Sequence, residues 1–254
     1  MTFMSGVFKK IKSAFTKTGT LFSDLRKSKQ LYLFLGIFCV LGSWSVIPYL
    51  QYLEIPSPSI STLRIFLFVT LQAAILYGLI CYLCYKILPK TDLNPFPHRI
   101  SIIKALLSGL LVGFAMYFLD KVIFFSSNLS QTNIHPPFWV GMLASFYGGF
   151  NEEILNRLFL FTLVYFCFRK FFRFANSKRP TFLWITNIIV AMIFGLGHLP
   201  VAFKLTTPSF FEVFRILLLN GVGGIVFGWL YWSRGLWTAM IAHFIADIFI
   251  HVVL

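Results

Sequence analysis

Long apolar runs recur along the chain, each close to the roughly 20 residues that a helix needs to cross a bilayer. They fall at about 31–50, 65–85, 105–119 (extending towards 125), 138–168, 182–200, 213–232 and 236–254. The fourth is too long for one simple span. A helix satisfies its own backbone hydrogen bonds, which a segment in hydrocarbon must do. The reading is an all-α, polytopic transmembrane helical bundle of about seven membrane helices, within a range of six to eight. Charged residues make up only 12% of the chain, against roughly 25% in soluble domains, so no soluble catalytic module is expected. Prolines sit in the short connections, at 56, 58, 89, 95, 97, 136, 137, 180 and 208.

The net charge of +14 does not point to nucleic acid, because Lys and Arg lie between the apolar runs as cytoplasmic anchors do. Basic residues crowd the first 30 positions and the 86–104 and 169–181 loops, and Arg234 follows, while the alternate loops are nearly uncharged. That asymmetry predicts an integral, multi-pass protein with a cytoplasmic N-terminus. Residues 1–30 read as a basic arm. Val7, Phe8, Ile11 and Phe15 recur at near-helical spacing among lysines, which suits either an interfacial helix or a solvated tail. The arm is too polar for a secretory signal. Residues 31–254 read as one transmembrane domain. Cys81 and Cys84 have CxxC spacing but lie inside an apolar run without a second pair, so all four cysteines are expected as free, packing thiols.

Against this background Glu152 and Glu153 stand out. The chain has only eight acidic residues, and two of them are adjacent inside an apolar stretch. A charge at the bilayer centre costs about 2.5–3.5 kcal/mol on insertion scales, which marks an intramembrane carboxylate as a functional candidate. Further polar residues at membrane depth gather in the same half of the chain: Asn156, Arg157, Asn187, His198, Asn220, His243, Asp247 and His251.

Helical spacing divides these groups. Glu153 and Arg157 are four apart with the acid first, the favoured order for an ion pair. Glu152 shares a face with Asn156 instead and is left free to act as a general base. A buried charge cluster that merely fixes helix packing would not explain the second, unpaired glutamate. Gly195 and Gly197 in Phe194-Gly-Leu-Gly-His198 would let a neighbouring helix come close to His198. His243 and Asp247 share a face of the last run, an arrangement that can orient an imidazole or donate to an oxyanion. His251 continues that stripe and is expected at the interface. Gly148-Gly149 leaves two possibilities for 138–168. Either 138–147 is a separate, re-entrant piece, or one helix runs through and places Glu152 roughly 21 Å from its start.

Glu152-Glu153-Ile-Leu-Asn-Arg157, Phe194-Gly-Leu-Gly-His198 and His243-Phe-Ile-Ala-Asp247 come in the order EExxxR, FxxxH, HxxxD. This pattern resembles the CAAX protease and bacteriocin-processing (CPBP, or Abi) family, which includes the type II CAAX prenyl endopeptidases. The resemblance covers about 138–250, which would be the catalytic part. It implies an intramembrane endopeptidase acting on a membrane-associated peptide or protein. Glu152 with His198 would activate a water, and His243 and Asp247 would stabilise the oxyanion. Glu153 and Arg157 would support the first helix. The family is also described as metal-dependent, which would make Glu152, His198 and His243 ligands, possible zinc ligands by residue type. The last motif position is Asn in many members, and Asp247 would have to be protonated to donate, or else orient His243.

HExxH, GxSG and GxGD are all missing from the chain, which disfavours other intramembrane proteases. The alternatives are a non-catalytic membrane protein of the same fold, serving bacteriocin immunity or as a scaffold, and a small transporter. The transporter ranks last because internal repeats are not visible.

Overall fold

The structure, a computed structural model, describes residues 27–55, 57, 59–97, 99–125, 136–172 and 178–253, and every regular element among them is helical. The amphipathic part of the basic arm lies outside the described residues. Helix α1 (Lys29–Ser45) starts where the Ser28 hydroxyl accepts from the Leu31 N–H, and α2 (Ile47–Tyr52) continues its direction. Helix α3 (Thr62–Ile87) returns alongside α1, joined to it by Trp44 Nε1 donating to Thr70 Oγ1 at 2.9 Å. Helix α4 spans Ile102–Ile123.

The long segment at 138–172 is one rod of changing pitch. It comprises α5 (Phe138–Tyr147), π-helical turns at Gly148–Glu152 and Ile154–Phe161, and α6 (Thr162–Phe172). The glycine pair therefore does not end one piece and begin another. The first π turn, Gly148–Glu152, lies where the last helix of the chain packs on the rod. Such turns are frequent at functional sites.

Helices α7 (Arg179–Gly197) and α8 (Leu199–Leu205) follow, then α9 (Phe210–Arg234), which opens with a reciprocal Ser209–Glu212 capping box. Gly235 has φ +93°, and a side chain there would collide with Pro97. This turn sends α10 (Leu236–Ile248) back along α9, ending in a π turn at Phe249–Val253.

Among the described residues five helical stretches are long and apolar enough to cross a membrane: Lys29–Tyr52, Thr62–Lys90, Ile102–Ile123, Arg179–Leu205 and Phe210–Arg234. Leu236–Val252 is apolar but shorter. The fifth expected run, 182–200, is thus longer than its hydropathy suggested, because the chain remains helical on both sides of His198.

The 138–172 rod runs through the core. Its buried Leu158 meets α3 where Cys84 Sγ approaches the Leu158 carbonyl at 3.5 Å, and Phe161 packs edge-on to Tyr231 of α9. Thr162 and Tyr231 share a buried hydrogen bond of 2.8 Å. All four cysteines are free, and Cys39, Cys81 and Cys84 are buried in this core. At one end of the bundle Asp92 ties two elements together, pairing with Arg169 of α6 at 2.7 Å and Arg179 of α7 at 2.6 Å.

Candidate active site

Small residues allow the site to form. A side chain on Gly149 would stand 2.7 Å from Phe244 Cβ, and one on Gly148 would collide with Asp247 Oδ2. With glycine at both positions, α10 lies directly on the π turn that carries the glutamates. Gly224 gives α9 the same close approach to α7, where a Cβ would stand 2.8 Å from that of Ala191.

Glu153 is fully buried and makes its contacts through one oxygen, while Oε2 is buried without a hydrogen-bond partner. Oε1 accepts from His243 Nδ1 at 2.8 Å and pairs with Arg157 Nη1 at 3.0 Å. Arg157 is itself buried. Its Nη2 donates to the Gly224 carbonyl at 3.2 Å, and its guanidinium lies over the rings of Phe194 (5.0 Å) and Phe227 (5.6 Å). Two aromatic faces and a backbone carbonyl thus replace part of the water that the cation gives up, while Nε stays buried without a hydrogen-bond partner. The pair at 153 and 157 reaches beyond its own helix, since Glu153 also holds the imidazole of α10.

His243 stacks on Phe227 at 4.6 Å and meets Phe194 edge-on at 5.7 Å. With Nδ1 committed to Glu153, its Nε2 faces Asp247 Oδ2 at 3.5 Å and Glu152 Oε2 at 3.9 Å. The second distance is too long for a direct hydrogen bond and short enough for one water to touch both groups. Glu152 is 23% exposed where Glu153 is sealed, so the adjacent carboxylates occupy different environments.

His198 caps α7 with Nδ1 on the Phe194 carbonyl at 2.9 Å, which leaves Nε2 to face outward from that bond. Its ring stands edge-on to Phe194 at 4.8 Å, so the imidazoles of His198 and His243 flank one phenyl ring. Of the two glycines before it, a Cβ added to Gly195 would stand 3.3 Å from Leu217 of α9, while one on Gly197 would meet open space.

The remaining polar residues do other work. Asn156 bonds the Glu152 carbonyl and Asn220 the Ile216 carbonyl, each within its own helix. Asn187 crosses to the Ile225 carbonyl at 2.9 Å, against Gly228. His251 is half-buried with its ring edge-on to Tyr49. Among the described residues no group of three His, Cys, Asp or Glu side chains stands together as a metal-holding set.

Asn151 was not singled out by the sequence reading. Fully buried beside Glu152, it donates through Nδ2 to the Cys39 carbonyl (2.7 Å) and to Ser43 Oγ (2.9 Å) of α1, in space that Gly42 leaves open. It anchors the glutamate turn to the first helix. A polar residue next to the charged pair was the only signal available.

Residues 134–249 match the family model described as type II CAAX prenyl endopeptidase Rce1-like. This stretch is similar to the Rce1-like family. It contains all three motifs, from Glu152 to Asp247, and the whole rod-and-α10 contact that brings them together. The Rce1-like match supports a protease of the CAAX type in an integral membrane protein. No curated protein and no solved structure matches the chain.

Proposed function

We propose that the chain is an intramembrane endopeptidase that hydrolyses a peptide bond of a membrane-associated peptide or protein using a glutamate-activated water. The observation that carries this reading is the division between the two glutamates. Glu153 is sealed and bound to His243 Nδ1, while Glu152 is partly open and lies 3.9 Å from the same ring's Nε2.

Glu152, assisted by His198, takes a proton from the water as it attacks the peptide carbonyl, and returns a proton to the leaving amine. His243, protonated and held by Glu153, presents Nε2–H to the oxyanion, and Asp247 in its protonated form adds a second donor. Charge counting agrees with the protonated form. Ionised Glu152 and Glu153 balance Arg157 and the imidazolium, and an ionised Asp247 would leave the buried cluster one charge negative. Arg157 pairs with Glu153 and so steadies the carboxylate that orients the imidazole.

The basic arm and one transmembrane domain form the chain's organisation in this reading. The N-terminus is cytoplasmic, as loop charge suggests.

The test is cleavage of a panel of membrane-associated peptides by purified wild type, Glu152→Ala and His198→Ala. Loss in both variants is expected. Equal cleavage by all three would sink the mechanism and leave the non-catalytic alternative standing.

A further inference from the structure

A second site lies away from the glutamates, on the outer face where α1 and α3 run antiparallel. The two helices enclose a groove of about 550 Å³, within the roughly 300–1,000 Å³ usual for ligand sites. Lys29 and Lys86 line one end, and Val40 and Ala74 the other. Between them Gly36 and Gly78 supply the hollow. Nothing lies within 4 Å of a Cβ placed on Gly78.

Length and charge both specify the occupant. From Lys29 to Val40 the groove runs 11 residues of helix, about 16 Å. That is close to half of the roughly 30 Å hydrocarbon core, the depth of one leaflet. The walls are apolar and lack a carboxylate, while the mouth carries two ammonium groups. Lys86 Nζ lies 5.6 Å from the centroids of both Tyr82 and Tyr85, which holds it at the mouth. The chain's own arm is a poor candidate, since it brings further lysines to an already basic mouth.

We propose that the α1–α3 groove seats one anionic glycerophospholipid, with its phosphate between Lys29 and Lys86 and an acyl chain along Gly36 and Gly78. In the orientation expected from loop charge, this mouth faces the cytoplasmic leaflet, where anionic lipid is concentrated. The site is built entirely from residues outside the Rce1-like segment and does not depend on the protease reading.

Native mass spectrometry tests this on the full chain, released from mixed micelles of phosphatidylglycerol and phosphatidylcholine with identical acyl chains. Wild type should retain one phosphatidylglycerol in preference to phosphatidylcholine. Replacing Lys29→Ala together with Lys86→Ala should weaken that retention roughly thirtyfold, the effect of two basic residues at an anionic surface. Gly78→Leu fills the hollow without touching either lysine and should release the lipid as well. Inorganic phosphate should not compete, which separates a lipid seat from a free-phosphate site. Retention unchanged in the lysine variant, phosphatidylcholine held as firmly as phosphatidylglycerol, or displacement by phosphate would each overturn the proposal. Should Gly78→Leu fail to fold in a thermal melt, the lysine variant decides alone.

Discussion

Glu153 Oε1 and His243 Nδ1 meet at 2.8 Å across 90 residues of sequence, with both side chains buried. This bond joins the glutamate rod to α10 and commits one imidazole nitrogen. The other is turned towards Glu152 and Asp247. Everything proposed for the site depends on that one orientation.

The two glutamates should therefore fail differently. Glu153→Gln leaves the Arg157 cation buried without its partner, a loss of about 3–5 kcal/mol, and should lower the melting temperature by something like 10 °C. Glu152→Gln keeps the fold within a degree or two while reducing cleavage by about 100-fold or more. Thermal melts and cleavage rates on the same two preparations check this. A stable Glu153→Gln protein would show that the buried pair is not what holds the rod.

Asp247→Asn supplies a donor that needs no proton. The variant should keep or exceed wild-type cleavage, and its activity should persist on the alkaline side where the wild type, losing the Asp247 proton, declines. The measurement is the pH–rate profile of both proteins. A wild-type alkaline limb that matches that of the variant removes Asp247 from the oxyanion site.

Gly148→Ala places a methyl group where Asp247 Oδ2 now lies. Either the carboxyl group turns away or α10 shifts outward, at a cost of about 1–3 kcal/mol for overpacking. Activity should fall by more than stability does. Unaltered kcat/KM would mean that Asp247 can move without consequence.

The Asp92 clasp gives a pH dependence outside the membrane-spanning segments. Burial alone would push the Asp92 carboxyl up, but Arg179, Tyr165 and Arg169 outweigh it and hold the group below its ordinary value. A depressed carboxylate contributes stability above its unfolded value, near pH 4, and loses it as pH falls through the folded value. The melting temperature of Asp92→Asn should thus lie below wild type at neutral pH. The gap should close on acidification below about pH 4. A gap independent of pH would place the contribution elsewhere.

How far the sequence could be read depended on range. Apolar runs predict helices because backbone satisfaction and hydrophobicity are local, and the pairing of Glu153 with Arg157 followed from four-residue spacing alone. The run at 182–200 ends near His198, which caps α7, and helix resumes beyond it because Pro200 is tolerated in the first turn of α8. The close approach of α10 to Gly148 and Gly149 was invisible, since neither partner specifies the other locally. The Arg157 cradle of Phe194 and Phe227 was hidden for the same reason, as was the hold of Asn151 on α1.

By itself the sequence determined a helical membrane bundle and the three motifs, because residue type and short-range spacing set both. Only the tertiary structure decided which nitrogen of His243 is committed, and that an apolar groove with two lysines at its mouth lies between α1 and α3. Those depend on the close packing of segments far apart in the chain, where a missing Cβ decides how near two helices come.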